Sequence, residues 1–310
     1  MKKLLWGSAA LALLAGGYVA LASAYKNEMY DGAMAMEASL SHLEKKQVQI
    51  SDGTISYLES APEGKKASIL LVHGFGAYKE NWLRFARPLN EYHVVIVDLP
   101  GHGESFKRPE LRYDFDNQVA WVHEFAEKIG LQKFHMAGNS MGGGITALYA
   151  ATYPQQVLIA TLIDPAGIHD HRAVLQDYLD KGENPLVVQN TEDFKKLMDF
   201  ALEQKPFVPW PITEVAAERA KALKPLHDKI FAEFNHPDGY NFRDSISTIS
   251  APTLIMWGQE DRIINYKNAD VFAGLIKGSK LDIMPGVGHA PMIEVPKKAA
   301  ADMLALIEGQ

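Results

Sequence analysis

The 310-residue sequence predicts an α/β fold: a mostly parallel, eight-stranded sheet flanked by helices, with a helical block inserted before the last two strands. Three observations carry this. Short apolar runs of strand length alternate with segments of helical period, the pattern of parallel strands joined by right-handed crossovers. Several of the runs, among them Ser68–Val72, Val94–Val97 and Val157–Ile163, are apolar almost throughout, as strands covered on both faces are. Finally, Gly138-Asn139-Ser140-Met141-Gly142 stands between one such run and a helical segment, so that a sharp G-x-S-x-G turn joins strand to helix.

In chain order, Lys2 and Lys3 precede an uncharged apolar run from Leu4 to Ala24. At about 1.5 Å per residue, a helix of that length reaches roughly 30 Å, the thickness of a bilayer core. Two readings stand side by side. As a cleaved signal peptide, the run has its apolar region over Leu4–Ala15, a break at Gly16-Gly17 and an A-x-A site at Ala22-Ser23-Ala24. As an uncleaved anchor, residues 4–24 span the membrane and the rest of the chain faces outward. Either reading predicts export: membrane-anchored, or secreted or periplasmic after cleavage at Ala24. Residues 26–45 form a juncture, where Met29, Ala33, Met36, Leu40 and Leu43 recur at helical spacing and predict a short helix docked through that face on the body or on the membrane surface.

The body begins at residue 46. Gln47–Ile50 and Thr54–Leu58 flank Asp52-Gly53 as a hairpin. Strands Ser68–Val72, Val94–Val97, Phe134–Ala137 and Val157–Ile163 follow, with a helix over 116–129 that puts Val119, Val122, Phe125, Ala126 and Ile129 on one face. After Asp164-Pro165-Ala166-Gly167 the alternation stops. Residues 168–245 read as helices punctuated by proline, and the sheet resumes at Thr253–Trp257 and Leu281–Met284, with a closing helix from Pro291 to about Ile307. The expected divisions are therefore a signal peptide or anchor (1–25), a juncture helix (26–45), a core in two parts (46–167 and 246–310) and a helical cap (168–245) over the strands' C-terminal edge, where such folds bind ligands. Pro206–Ile212, apolar and too rich in proline for helix, could line an acyl channel, touch lipid or pack on the core.

The chemistry follows from the loops at that edge. A turn as tight as the one at Ser140 holds its residue in a strained conformation and lifts Oγ clear of the sheet, ahead of the new helix's N–H groups. The glycine-rich His73-Gly74-Phe75-Gly76 can offer a second donor, so the Phe75 and Met141 backbone N–H groups are the expected oxyanion hole. His289 in the last loop is the expected general base and acid, and Asp261 after the resumed strand is the expected partner that orients it. Asp164 is an alternative acid and Glu260 a weaker one. His73, Asp98 and His102 read as loop braces. His169-Asp170-His171 lacks a third ligand at a usual metal spacing. No cofactor or metal is expected. The absence of cysteine excludes disulfides and a thiol nucleophile, and a net charge of −7 argues against nucleic acid as a partner.

From residue 46 to the end, the chain resembles the α/β-hydrolase superfamily. His73–Trp82, Gly138–Gly143, Asp164–Gly167 and Trp257–Asp261 are similar to the monoacylglycerol-lipase-like abhydrolases and the bacterial family V lipases, a group that often carries an N-terminal hydrophobic segment. The resemblance implies cofactor-free hydrolysis of carboxylic esters, acylglycerols among them. An alternative keeps the triad but cleaves a carbon–carbon bond of ring-cleavage products, a group that Gly-Asn-Ser-Met-Gly-Gly also resembles. A non-catalytic binding protein of the same fold would usually have lost a triad position, and none is lost here.

Overall fold

The computed structural model describes residues 21–234 and 241–309. Eight strands form one sheet: β1 (Glu44–Ile50), β2 (Gly53–Glu59), β3 (Lys66–Val72), β4 (Tyr92–Val97), β5 (Phe134–Asn139), β6 (Val157–Ile163), β7 (Thr253–Gly258) and β8 (Lys280–Met284). Their spatial order is β1-β2-β4-β3-β5-β6-β7-β8. The β1–β2 hairpin pairs antiparallel, β2 runs antiparallel to β4, and all later pairings are parallel. Because β3 lies between β4 and β5, the chain leaves it first to one side and then to the other, and crevices that take ligands open at such a reversal. The register aligns the C-terminal ends along one edge: Val72 faces Gly138, Gly138 faces Leu162, and Gly258 faces Met284. The loops after these ends carry Phe75, Ser140, Asp164, Asp261 and His289.

The helix Met141–Thr152 is buried on nearly every side, as its apolar sequence requires of a helix enclosed within the core. The helix Phe115–Lys128 starts at Asp114, whose side chain accepts the Asn117 N–H at 3.0 Å, and it buries Val119, Val122, Phe125 and Ala126 as the sequence stripe predicts. Between β6 and β7 lie the helices Val174–Leu179, Thr191–Ala201, Ile212–Ala222, Lys224–Phe234 and Phe242–Ile246, and no strand among the described residues.

Two details differ from the sequence reading. The closing helix is broken into Pro291–Glu294 and Pro296–Glu308, because Pro296 forces Val295 out of the helical region (φ −132°, ψ 53°). The juncture helix, Lys26–Leu40, docks on the body through a face beside the predicted one that shares Ala33 with it. Met29, Met36 and Leu40 stand exposed, while Tyr30, Ala33 and Met34 pack with Ile212, Val215 and Ala216 in a small second core. Ion pairs flank this contact: Lys26 with Glu214 (3.0 Å), and Asp31 with Arg219 (2.8 Å), whose guanidinium lies 4.2 Å from the centre of the Tyr30 ring. Glu37 ties the helix's other end to Arg84 and Arg87 on the sheet-borne core. Residues 1–20, most of the predicted signal peptide or anchor, lie outside the described residues. Among those described, no helix is long and apolar enough to cross a membrane.

Candidate active site

Ser140 sits at the point where β5 turns into the helix Met141–Thr152. Its backbone angles, φ 56° and ψ −119°, are ones that a residue with a side chain adopts only under constraint, at a cost of about 1–3 kcal/mol. Three backbone hydrogen bonds supply the constraint. The Ser140 N–H donates to Ile163 O (2.9 Å), and its carbonyl accepts from Gly144 N–H (3.0 Å) and Ala166 N–H (2.9 Å). The turn leaves no room beside it: a Cβ on Gly138 would lie 2.1 Å from the Gly142 carbonyl oxygen. The Ser140 side chain stays half-exposed and lines a cavity of about 790 Å³.

The loop after β3 passes directly against the serine. A Cβ on Gly74 would stand 3.0 Å from Ser140 Cβ and 3.1 Å from the Asn139 carbonyl oxygen. Phe75 follows, its ring packed against His227, Phe231 and Phe234 of the inserted helices. Met141 is the first residue of its helix, where N–H groups have no intrahelical acceptor. The loop is braced from behind. His73 donates from Nδ1 to Gly74 O (2.8 Å) and accepts the Leu99 N–H at Nε2 (2.9 Å), and burial lowers its pKa, which keeps the ring neutral. The buried Asp98 carboxylate accepts from the Lys79 N–H (2.8 Å), Lys79 Nζ (2.7 Å) and the Glu104 N–H (2.8 Å). Against the cost of burial, ion pairs to Lys79 and Lys45 hold the Glu104 carboxyl at about 2. His73 and Asp98 are thus structural, as their sequence positions predict. His102, buried against His73 and His227, takes the same part.

The loop after β8 delivers His289. Its Nδ1 lies 2.7 Å from Asp261 Oδ2. Asp261 accepts three further hydrogen bonds, from Ile263 N–H (2.8 Å) and Ile264 N–H (3.0 Å) at Oδ1 and from Trp257 Nε1 (3.1 Å) at Oδ2. With Nδ1–H committed to Asp261, Nε2 is the nitrogen left to take a proton. His289 is also held by its backbone: its N–H donates to Ala201 O (2.8 Å) and its carbonyl accepts from Asn139 Nδ2 (3.0 Å). His289 and Ser140 line the same cavity.

Of the acids weighed from the sequence, Asp261 is the one that hydrogen-bonds His289. Asp164 accepts the Gly258 N–H (2.9 Å), and Glu260 accepts the Val287 N–H (3.0 Å) and so supports the histidine loop. Among the described residues, Asp164, Asp261 and His289 are the only group of three side chains of metal-ligating type with ligand atoms within 4.8 Å of one another. Asp261 and His289 Nδ1 are already engaged with each other there. Of the His169–His171 stretch, His169 lines the cavity, Asp170 pairs with Arg243, and the His171 N–H donates to Asn268.

Three residues escape sequence reasoning. Asn139 ties the end of β5 to the His289 carbonyl, and Trp257 donates to the Asp261 carboxylate. Glu294 accepts the N–H groups of Glu203 (2.8 Å), Gln204 (2.7 Å) and Gly288 (3.1 Å) in one carboxylate oxygen. Only Trp257, four residues from Asp261, left a local signal. The remaining walls of the cavity are mostly apolar. Leu186, Met198 and Leu202 come from the inserted segment, and Tyr30, Ala33 and Met34 from the juncture helix.

The chain matches the α/β hydrolase fold family over residues 67–296. It is 33% identical to Lipase 3 of Moraxella sp. (strain TA144) over 281 residues, which cover 88% of this chain and 87% of that one. With the monoacylglycerol lipase abhd6-B of Xenopus laevis it shares 30% identity across 79% of this chain and 76% of the relative. Its fold superimposes on the crystal structure of a membrane phospholipase A, described as a bacterial virulence factor, with a TM-score of 0.89 and 40% identity, covering 100% of this chain and 99% of that one. The strained serine between β5 and its helix, the histidine–aspartate pair on the later loops and these likenesses agree: the chain is a member of the α/β hydrolase fold family.

Proposed function

We propose that this protein hydrolyses carboxylic esters, with acylglycerols as substrate, through an acyl-enzyme on Ser140. The observation that carries the reading is the 2.7 Å pairing of His289 with Asp261 beside a cavity whose other catalytic wall is Ser140. In the first step Ser140 Oγ attacks the ester carbonyl carbon while His289 Nε2 takes its proton. The negative charge that forms on the carbonyl oxygen is met by the Phe75 and Met141 N–H groups. Asp261 fixes the imidazole tautomer and stabilises the imidazolium. Collapse expels the alcohol, which leaves with the proton from His289. Water then repeats the attack on the acyl-enzyme, with His289 as base, and releases the fatty acid.

The substrate class rests on the cavity. A volume of about 790 Å³ with mostly apolar walls suits an acyl chain, and Ser140 and His289 stand in the same wall where the ester would lie. The helices of residues 168–245 act as the cap that supplies most of those walls. The rim supports a lipid surface as partner. Met36, Phe207 and Val208 line the cavity and are also exposed, Phe207 to 85%. Met29 and Leu40 of the juncture helix are exposed too, as are Tyr25 just before it and Leu21 at the end of the apolar run of residues 4–24. In this reading the chain is exported and held at the membrane, with the mouth of the cavity at the lipid interface.

The test is a hydrolysis profile over esters of increasing acyl length, ending in emulsified monoacylglycerol, with Ser140→Ala as the blank. Preference for medium or long chains that vanishes in the blank is expected, and His289→Ala should match the blank. Activity confined to very short esters would reduce the protein to a general esterase. Folded protein without any ester hydrolysis would favour the carbon–carbon bond hydrolase instead. For localisation, an anchored chain stays with membranes through an alkaline wash, whereas a cleaved one yields a soluble form beginning at Tyr25.

A further inference from the structure

Asp164 has no part in the reaction as described, yet it stands against the histidine–aspartate pair. It follows β6, is fully buried, and adopts a left-handed backbone conformation (φ 45°), with its N–H donated to Met256 O at 2.9 Å. Its Oδ1 accepts the Gly258 N–H, and Gly258 O in turn accepts the Asp261 N–H at 3.2 Å, so Asp164 grips the turn that carries Asp261. Its Oδ2 is buried with no hydrogen-bond partner. One side-chain oxygen of Asp164, one of Asp261 and a ring nitrogen of His289 all lie within 4.8 Å of one another.

Two carboxyl groups this close do not both ionise without a large cost, so one negative charge is shared unequally between them. The division follows the donors. Asp261 has Ile263 N–H, Ile264 N–H, Trp257 Nε1–H and His289 Nδ1–H, while Asp164 has the Gly258 N–H alone. Burial, with the nearby charges of Asp261 and Glu294 added, raises the Asp164 carboxyl well above its ordinary range. His289 is the one group of the cluster that can carry a positive charge.

Resting on the Ser140–His289–Asp261 reading, we propose that Asp164 is a second acid for His289: a positioning residue that stays uncharged while Asp261 carries the charge, and that supplies the carboxylate when Asp261 cannot. In the native enzyme its neutrality confines the negative charge to the oxygen bonded to Nδ1, and its bond to Gly258 fixes the turn. Once the Asp261 carboxylate is removed, the repulsion on Asp164 goes with it, and the imidazolium formed during attack favours its ionisation.

The experiment is a double-mutant cycle on a soluble short-chain p-nitrophenyl ester, with kcat, KM and the pH profile measured for wild type, Asp164→Asn, Asp261→Ala and the pair. Asn keeps the Oδ1 acceptor for Gly258, and thermal melting checks each fold. Asp164→Asn is expected within about threefold of wild type. Asp261→Ala should lose about 10²-fold in kcat, and its rate should go on climbing with pH beyond the point where wild type levels off, as Asp164 ionises. The double variant should lose about 10⁴-fold, the usual cost of a missing triad acid, and show no such climb. An effect of Asp164→Asn that is equal in both backgrounds would mean a structural role only and overturn the proposal. So would a pH profile of Asp261→Ala that levels off where wild type does, a measurement that decides the matter even if the double variant fails to fold. If Asp164→Asn is instead the more damaging single change, the assignment of Asp261 itself falls.

Discussion

At the floor of the cavity, Asp261 accepts four hydrogen bonds and His289 is held by its ring and by both of its backbone groups. At the mouth, Met36, Phe207 and Val208 present apolar side chains to solvent. The contrast teaches what each end must do. Proton transfer and charge stabilisation need groups fixed in place before the reaction begins, and buried donors aimed at buried acceptors provide that. Admission of an acyl chain needs apolar surface and tolerates imprecision, because burial of methylenes is non-directional. The floor should therefore respond steeply to single changes and the mouth mildly.

The sharpest way to break the floor is Lys79→Met. It leaves Asp98 as a buried carboxylate without its cation, at a cost of about 3–5 kcal/mol. A fall in melting temperature of about 10 °C, with loss of ester hydrolysis, is the expected result of calorimetry and assay together. Trp257→Phe removes one donor to the Asp261 carboxylate and preserves the ring packing. A drop in kcat of about tenfold at unchanged KM should follow, within the usual range for a lost bond to a charged group.

The joint between the two ends is expected to be sensitive to acid. His227 of the inserted helices lies buried against Phe75 and His102, and burial lowers its pKa from 6.5 to about 4. The unfolded chain takes up that proton first, so stability is complete above about pH 6.5 and is lost as the pH falls toward 4. Burial lowers His73 and His102 too, in the same direction. The melting temperature should fall by several degrees between pH 7.5 and pH 5, and His227→Phe should flatten that slope. The smallest effect belongs to the mouth. Phe207→Ser should leave melting temperature and short-ester turnover unchanged, while hydrolysis of emulsified monoacylglycerol drops severalfold; equal losses on both substrates would erase the distinction between the two ends.

What the sequence makes legible follows the range of the interactions. The turn at Ser140 is local: strand, turn and helix are adjacent in the chain, and the glycines that the turn requires lie beside the serine. The loops bearing Asp261 and His289 can be found because each follows a recognisable strand. Asn139, Glu294 and the Asp98–Lys79 pair act on groups far away in the chain, and nothing near them in sequence announces a partner. The juncture helix misleads for a different reason. It carries apolar residues on two faces, and periodicity detects a stripe without telling which one meets the protein. Tyr30, Ala33 and Met34 found the cap helix Ile212–Ala222, and the methionine stripe was left outside. The break at Pro296 was readable, since the residue before a proline leaves the helical region, but a long apolar period conceals it.

The carbonyl of Ala201 closes the helix Thr191–Ala201 and accepts the His289 N–H, and Glu294 clasps the next two cap amides together with Gly288. The inserted segment is thus stitched to the loop that carries His289, and in the proposed mechanism that joins substrate choice to the base. Caps in such folds are often pictured as interchangeable modules, but a graft joined at the strand ends alone would leave this histidine loop without its seam. Transplanting specificity from a relative into this scaffold calls for moving residues 201–204 and Glu294 as one piece, and variation in the cap over evolutionary time is expected to stop at that seam.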